Sequence, residues 1–491
     1  MSLQSPSLTR KRDINWSRLL FILAGLVLFG LFYGSPSWPD AVDPVGKHFP
    51  LTPEARGALG LFLLAVIWWV FEVIPIGVTS LALGVFQVLF LIRPAAEAFR
   101  DFTHPAVMFI LASTIIGTVL TKTGIPRRLA YRTLAIAGER TGMIYLGCFM
   151  ITVLLTHIMA QTAVAATIYP FLVAIYSSYG GAKNNNFGKG LYIGMAYMAG
   201  AGSIITLLGA ARGAVAVGFF HEVVGKDIDF FHFSYYLFPI GWLMMFLLWA
   251  LLMVVFKPEK PSIPGLKKRA QEIIQELGPL SLKEKQASYI IAGVILLLLL
   301  QTAVPPLRQL DKSAIILISS LLFFLTGILD INDLEEIPWN IILLFSGAMS
   351  LGLCLWGTGA AKWLAVQLVV LCNSSSWYIF LMILALVVMA LINLIVNVAV
   401  MAITIPVALF MAPYLGLSSE VILFVTVVAA GMPFMSLSGA APNAIAYNSR
   451  QFTTKEFFRT GLLASGILLA VIALAVTVIW PFMGMPVIVP R

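Results

Sequence analysis

Two amides and one guanidinium stand where a membrane-like chain has little reason to keep them. Gln161 precedes Pro170 by nine residues and Asn397 precedes Pro406 by nine, each near the middle of a long apolar stretch. Arg212 lies in the run GAARGAVA (209–216), and Asn443 in GAAPNAIA (439–446). Polar groups at membrane depth are expensive and by default mark a site, a guanidinium most of all unless it is paired or wetted. An amide donates and accepts, and a guanidinium offers a rigid fork of donors matched to carboxylate, phosphate or sulfonate. The chemistry these residues suit is therefore anion recognition. His157, close to the first amide, adds a group that can titrate and bring proton coupling, or serve as a satisfied structural histidine. No cluster of His, Asp, Glu or Cys has the form of a catalytic or metal set, so an enzyme is not expected.

The elements that must position these groups follow from composition. The chain has 491 residues, of which 60% are hydrophobic and 11% charged. A soluble domain is typically about a quarter charged. Successive apolar runs are long enough to cross a bilayer core of about 30 Å. The first, 16–34, lacks a convincing small-residue cleavage site and reads as a retained helix. The net charge of +9 raises the question of nucleic acid. Its placement answers it: Arg10, Lys11, Arg12 and Arg18 precede the first run, and further basic residues fill the loop 257–285. That is the positive-inside pattern of an inner-membrane protein with a cytoplasmic N-terminus, its partner being the lipid bilayer and no nucleic acid. Cys148, Cys354 and Cys372 lack metal-ligand spacing and read as small buried hydrophobes.

The expected fold is an all-α polytopic membrane protein of about 11 transmembrane helices plus two re-entrant hairpins, 142–177 and 376–414. A hairpin that enters and leaves on one side holds polar residues at depth without crossing. The chain then divides into an N-terminal tail and first helices (1–93), a first repeat (94–256) with an inside-facing hairpin and a broken helix at 191–220, and a cytoplasmic linker (257–286). Further helices (287–336), a second repeat (337–482) with an outside-facing hairpin and a broken helix at 419–448, and a tail (483–491) complete it. The stretch 125–140 reads as an interfacial amphipathic helix with a counterpart at 359–371. The acidic segment 330–336 reads as a solvated loop, and His221, Glu222 and His232 as surface residues.

The halves match each other. GAARGAVA and GAAPNAIA are offset by 230 residues, the amide–proline pairs by 236, and Pro105 with the following VMFILAS and Pro338 with NIILLFSG by 233. By the span count each copy begins on the opposite side of the membrane, so the repeats are inverted. Transporters of that architecture bind near the midplane, where broken helices leave free carbonyls and amides. The breaks are expected at 209–213 and 438–443, with Tyr447 and Asn448 just beyond the second.

These residues resemble the divalent anion/sodium symporter family of di- and tricarboxylate, citrate and sulfate carriers, over nearly the whole chain. EVIPIGVT (72–79), PWNIILLFSG (338–347) and GAAPNAI (439–445) carry the resemblance. It implies an elevator carrier, a homodimer, with separate scaffold and transport domains. It also implies a hydroxyl–amide–hydroxyl tip on each hairpin. Here the tips read Ala160-Gln161-Thr162 and Val396-Asn397-Val398, and the hydroxyl one turn earlier is Thr156 in the first half and Ile392 in the second. Arg212 occupies the place of Pro442, where the family has a neutral turn. By the resemblance, Gln161, Thr162, Arg212, Gly213, Asn397, Val398, Pro442 and Asn443 are the substrate-binding candidates, and Thr156 and His157 the coupling or gating ones. Candidate sodium sites lie near Thr156, Gln161 and Gly209 and near Asn397, Gly439 and Asn443. Arg212 either stands in for a sodium ion or clamps the substrate.

The expected function is secondary transport of a small organic anion, di- or tricarboxylates leading and sulfate or a sulfonate the alternatives. No cofactor is expected beyond Na+ itself. Two coupling schemes compete: sodium symport, and the sodium-independent exchange or proton coupling that the lost hydroxyls favour. A non-transporting membrane enzyme or receptor on the same fold is the different-class alternative.

Overall fold

The computed structural model describes residues 16–180, 184–372 and 376–489. Arg10, Lys11 and Arg12 lie outside the described residues, as does the side chain of Cys372. The chain opens with α1 (Trp16–Tyr33), a small hairpin of β1 (Ala41–Val42) and β2 (His48–Phe49), then α2 (Pro53–Val70), α3 (Ile76–Leu89) and the short α4 (Ala95–Arg100). A first series follows: α5 (Pro105–Thr123), α6 (Ile125–Ala137), α7 (Thr141–Thr156), α8 (Gln161–Tyr179), α9 (Asn186–Ser203), α10 (Ala211–Val224) and α11 (Phe230–Val255). Then come α12 (Leu266–Glu276), α13 (Leu282–Leu300), α14 (Lys312–Leu325) and α15 (Ile331–Glu335). The second series is α16 (Trp339–Gly357), α17 (Ala360–Cys372), α18 (Trp377–Ile392), α19 (Asn397–Met411), α20 (Ser419–Ala430), α21 (Ala441–Tyr447) and α22 (Thr454–Leu474), closed by α23 (Trp480–Phe482).

The two series repeat one order: helix, amphipathic arm, hairpin, broken helix, helix. Among the described residues seven segments are long and apolar enough to cross a membrane, one of them the hairpin arm α8. The other expected crossings are shorter apolar helices, broken ones, or α13, whose first turn is charged. Seven helix starts outside the hairpins are fixed by side-chain caps: Thr52, Asn185, Asp229, Ser281, Asp311, Ser418 and Thr453 each accept a first-turn N–H. Such a cap satisfies one of the donors that a helix start leaves orphaned.

The halves interlock. Helix α10 packs on α19 of the other half, while α21 packs on α8 and α9. Each broken helix therefore supports the opposite hairpin. The breaks cross where Gly200 meets the Gly431 carbonyl, at 3.3 Å from where a Cβ would stand. A second stack joins α1, α2 and α3 to α16, which in turn packs on α19 and α10.

Three sequence expectations shift. The helix breaks fall at 204–210 and 431–440, some residues before the expected places, so Arg212, Gly213, Pro442 and Asn443 sit in the first turns of α10 and α21. Proline at the start of a helix lacks only an N–H that has no partner there, so Pro442 opens α21 instead of breaking it. The segment 330–336 is a capped turn of helix: Asp330 and Asp333 form a reciprocal capping box, and Lys122 donates to Asp333 at 2.6 Å. The linker carries α12, which packs on α6. Buried Arg128 of α6 donates to Glu284 at 3.1 Å and to the Gly278 carbonyl at 2.5 Å. Burial alone would raise the Glu284 carboxyl, but the Ser281 N–H and Arg128 hold it below the ordinary glutamate value.

Candidate functional site

Four helices begin at the breaks and hairpin tips without any side-chain cap: α8 after Ala160, α10 after Ala210, α19 after Val396 and α21 after Ala440. Ala210 and Ala440 hold nearly the same extended conformation, φ −159° and −153°. Apolar residues at these positions leave first-turn N–H groups to be satisfied by something else, and a helix start of this kind favours negative charge.

Glycine lets the hairpins close onto the breaks. A Cβ on Gly209 would stand 2.6 Å from the Thr156 carbonyl oxygen, and one on Gly439 would stand 3.3 Å from that of Ile392. Thr156 and Ile392 are the equivalent ends of α7 and α18, so the repeat alignment holds at the level of contacts. The Gln161 N–H also donates to the Gly209 carbonyl at 2.9 Å.

Chemistry then diverges. In the first half Arg212 is 4% exposed, and one Nη2 hydrogen goes to Ser203 Oγ. Its Nε has no hydrogen-bond partner, and no charged neighbour acts on it among the described residues. Ser203 Oγ also lies 3.1 Å from Gln161 Oε1, joining guanidinium, hydroxyl and hairpin amide in one row. In the second half the equivalent position is Pro442, and buried Asn443 stands one residue further on in the same turn. Its Nδ2 donates to the carbonyls of Pro433 and Ser436, both at 2.8 Å. Asn393 Oδ1 accepts from the backbone of Met435 and Ser436 at 3.1 and 3.0 Å. Asn397 Oδ1 is buried with no partner.

The remaining candidates are placed as follows. Thr156 is fully buried, its hydroxyl turned back to the Val153 carbonyl at 2.7 Å. His157 contacts the same carbonyl through Nδ1 at 2.6 Å, and its ring faces Phe238 and Trp242 of α11. Thr162 is exposed, Val398 buried, and Gly213 packs toward Phe233. Ser203 and Asn393 are the polar groups that motif reading passed over. Neither sits in a recognisable run, although Asn393 lies at the edge of the interruption that the sequence marks. His221 and His232 are exposed and face Asp227 and Asp229. A cavity of about 440 Å³ runs from His104, Glu222 and Lys312 down to Leu207 and Ala214, on either side of Arg212 in the chain.

A family described as "Sodium:sulfate symporter transmembrane region" matches residues 47–486. The chain belongs to this divalent anion/sodium symporter family. Among symporter-family relatives, the sodium-dependent dicarboxylate transporter SdcS of Staphylococcus saprophyticus is 23% identical over 82% of this chain and 83% of its own. A membrane protein of Cupriavidus necator is 25% identical over 64% of each chain. The fold is shared with MtrF of Neisseria gonorrhoeae, at a TM-score of 0.57 and 14% identity over 94% of this chain and 93% of that one. The protein is thus a multi-pass membrane transporter with bacterial relatives, and not an enzyme.

Proposed function

We propose that this protein is a secondary carrier of small organic anions, dicarboxylates first, working by an elevator form of alternating access in a bacterial inner membrane. Arg212 carries the reading. A guanidinium buried at the crossing of two broken helices, without an acidic partner among the described residues, lacks a counter-charge. The anionic group of a substrate supplies one, accepting from Nε and from the uncapped first turns nearby. The dicarboxylate class comes from the Staphylococcus relatives. The elevator rests on the interlocking of the halves: hairpins and broken helices support one another as a unit, beside the second stack of α1, α2 and α3. The resemblance adds a homodimer, with the N-terminus in the cytoplasm.

Coupling in this reading is asymmetric. Arg212 repels a cation from the first half. The second half offers Asn397 Oδ1, an acceptor with no partner, beside broken-helix carbonyls of the kind that hold sodium in transporters. One sodium held there, by Asn397 and its neighbours, neutralises part of the substrate's charge. Sodium-independent exchange is the second reading, favoured by the missing hydroxyls at Val396, Val398 and Ile392.

The test is uptake of a labelled four-carbon dicarboxylate into proteoliposomes, with sodium or choline outside. Wild type should accumulate it and Arg212→Ala should not. A sodium dependence with a Hill slope near one supports the asymmetric scheme. A slope of two or more overturns it, and equal uptake in choline excludes sodium coupling in favour of exchange or proton coupling.

A further inference from the structure

We infer that α6, α12 and the start of α13 form a docking surface for anionic phospholipid headgroups. Six basic side chains are exposed there: Arg127, Arg132, Lys267, Lys268, Arg269 and Lys283. None of them pairs with an acid among the described residues. Lys122, Lys189 and Lys312, by contrast, each reach a carboxylate.

The acids of this region are already occupied. Glu139 accepts from the Gly265 N–H at 2.8 Å, and Glu259 accepts from the Asn186 N–H at 2.5 Å. Glu284 is held by Arg128. Only Glu272 and Glu276 remain exposed on α12, at its far end. The order of charge along α12, basic first and acidic last, runs against its dipole. Helix stability therefore does not account for the placement.

Apolar side chains sit among the charges. Ile136 at the end of α6 is 87% exposed and Leu282 at the start of α13 is 71% exposed. Beside span ends, such side chains face the acyl boundary, while neighbouring Lys and Arg reach the headgroups. The two short helices are amphipathic and packed on each other, and the Arg128–Glu284 pair fastens them to α13, so the surface is rigid. Clusters of this size next to a span attract anionic lipid, each basic residue contributing roughly fivefold in affinity.

The test uses full-length purified protein in mixed micelles, titrated with phosphatidylglycerol or phosphatidylcholine and read by native mass spectrometry and thermal shift. Wild type should retain and be stabilised by phosphatidylglycerol over phosphatidylcholine. The K267Q/K268Q/R269Q variant should lose at least about tenfold in apparent affinity for the anionic lipid. The charge-keeping K267R/K268R/R269K variant should behave as wild type, which separates charge from folding. Unchanged preference in the glutamine variant overturns the proposal. So does displacement of the lipid by millimolar inorganic phosphate, which would indicate a free-anion site.

Discussion

Arg212 in the first half and Asn443 in the second reach back across their breaks from the same turn of equivalent helices. Arg212 meets a hydroxyl, that of Ser203, and Asn443 meets two carbonyls, those of Pro433 and Ser436. The backbone frame is common: uncapped helix starts, an extended alanine, and a glycine under the hairpin. What each frame leaves unsatisfied differs. The first half retains Arg212 Nε, a donor without a partner, together with His157 Nε2, and the second retains an acceptor without one, Asn397 Oδ1. Under the proposed function an inverted repeat keeps its geometry while its halves specialise, one toward anion and the other toward cation.

Removing the charge that separates the halves should have the largest effect. Truncating one partner of a buried, hydrogen-bonded charge pair typically costs about 2–5 kcal/mol. Arg212→Ala should therefore weaken binding of a dicarboxylate at least about thirtyfold by calorimetry, and Arg212→Lys, which keeps charge without the fork, should recover only part of it. Arg128→Ala, far from both half-sites, should cost about 3–5 kcal/mol of stability by leaving Glu284 buried and unpaired, with substrate affinity unchanged in the protein that remains folded. The carboxyl of buried Glu284 is held below its usual range by the Ser281 N–H and Arg128, and that of exposed Glu259 by the Asn186 N–H and Tyr179. A depressed carboxyl stabilises the fold above its unfolded value and loses that contribution as pH falls through the folded one. Thermal stability should therefore drop on acidification below about pH 4.5, less steeply in Glu284→Gln.

Glycine contacts sharpen the comparison at smaller scale. A Cβ on Gly209 would meet two backbone oxygens, of Thr156 and Ser203, at 2.6 and 2.7 Å, whereas on Gly439 the nearest atom is a proline Cβ at 2.7 Å. Overpacking of this kind costs about 1–3 kcal/mol. Gly209→Ala should lower the transport rate more than Gly439→Ala, measured as initial uptake. The smallest effect is expected at His157, whose ring faces Phe238 and Trp242. In His157→Gln the pH profile of uptake should move little, and a large displacement would reinstate proton coupling.

Much of this was legible in sequence because membranes penalise polarity so heavily. Gln161, Asn397 and Arg212 stood out by type alone, and the GAA runs fixed the register between halves. The helix pairs α7–α8 and α18–α19 span 141–179 and 377–411, close to the stretches 142–177 and 376–414 that the sequence marks. What stayed hidden depends on contacts between distant segments. Ser203 is an ordinary serine until Arg212 and Gln161 fold beside it. The breaks begin earlier than the Gly–Ala–Ala motifs, because those motifs start the next helix and do not end the previous one. The linker read as polar chain, since the pairing of Arg128 with Glu284 spans 156 residues.

The central claim is that the missing partner of Arg212 is the substrate's anionic group. It is tested most directly by a double cycle: binding of a four-carbon dicarboxylate and of its monoamide, each to wild type and to Arg212→Ala, by calorimetry on purified protein. Losing one substrate charge should weaken binding strongly in wild type and far less in the variant, giving a coupling of at least about 1–2 kcal/mol. Equal losses in both proteins would contradict it, and would mean that Arg212 serves the fold and not the substrate.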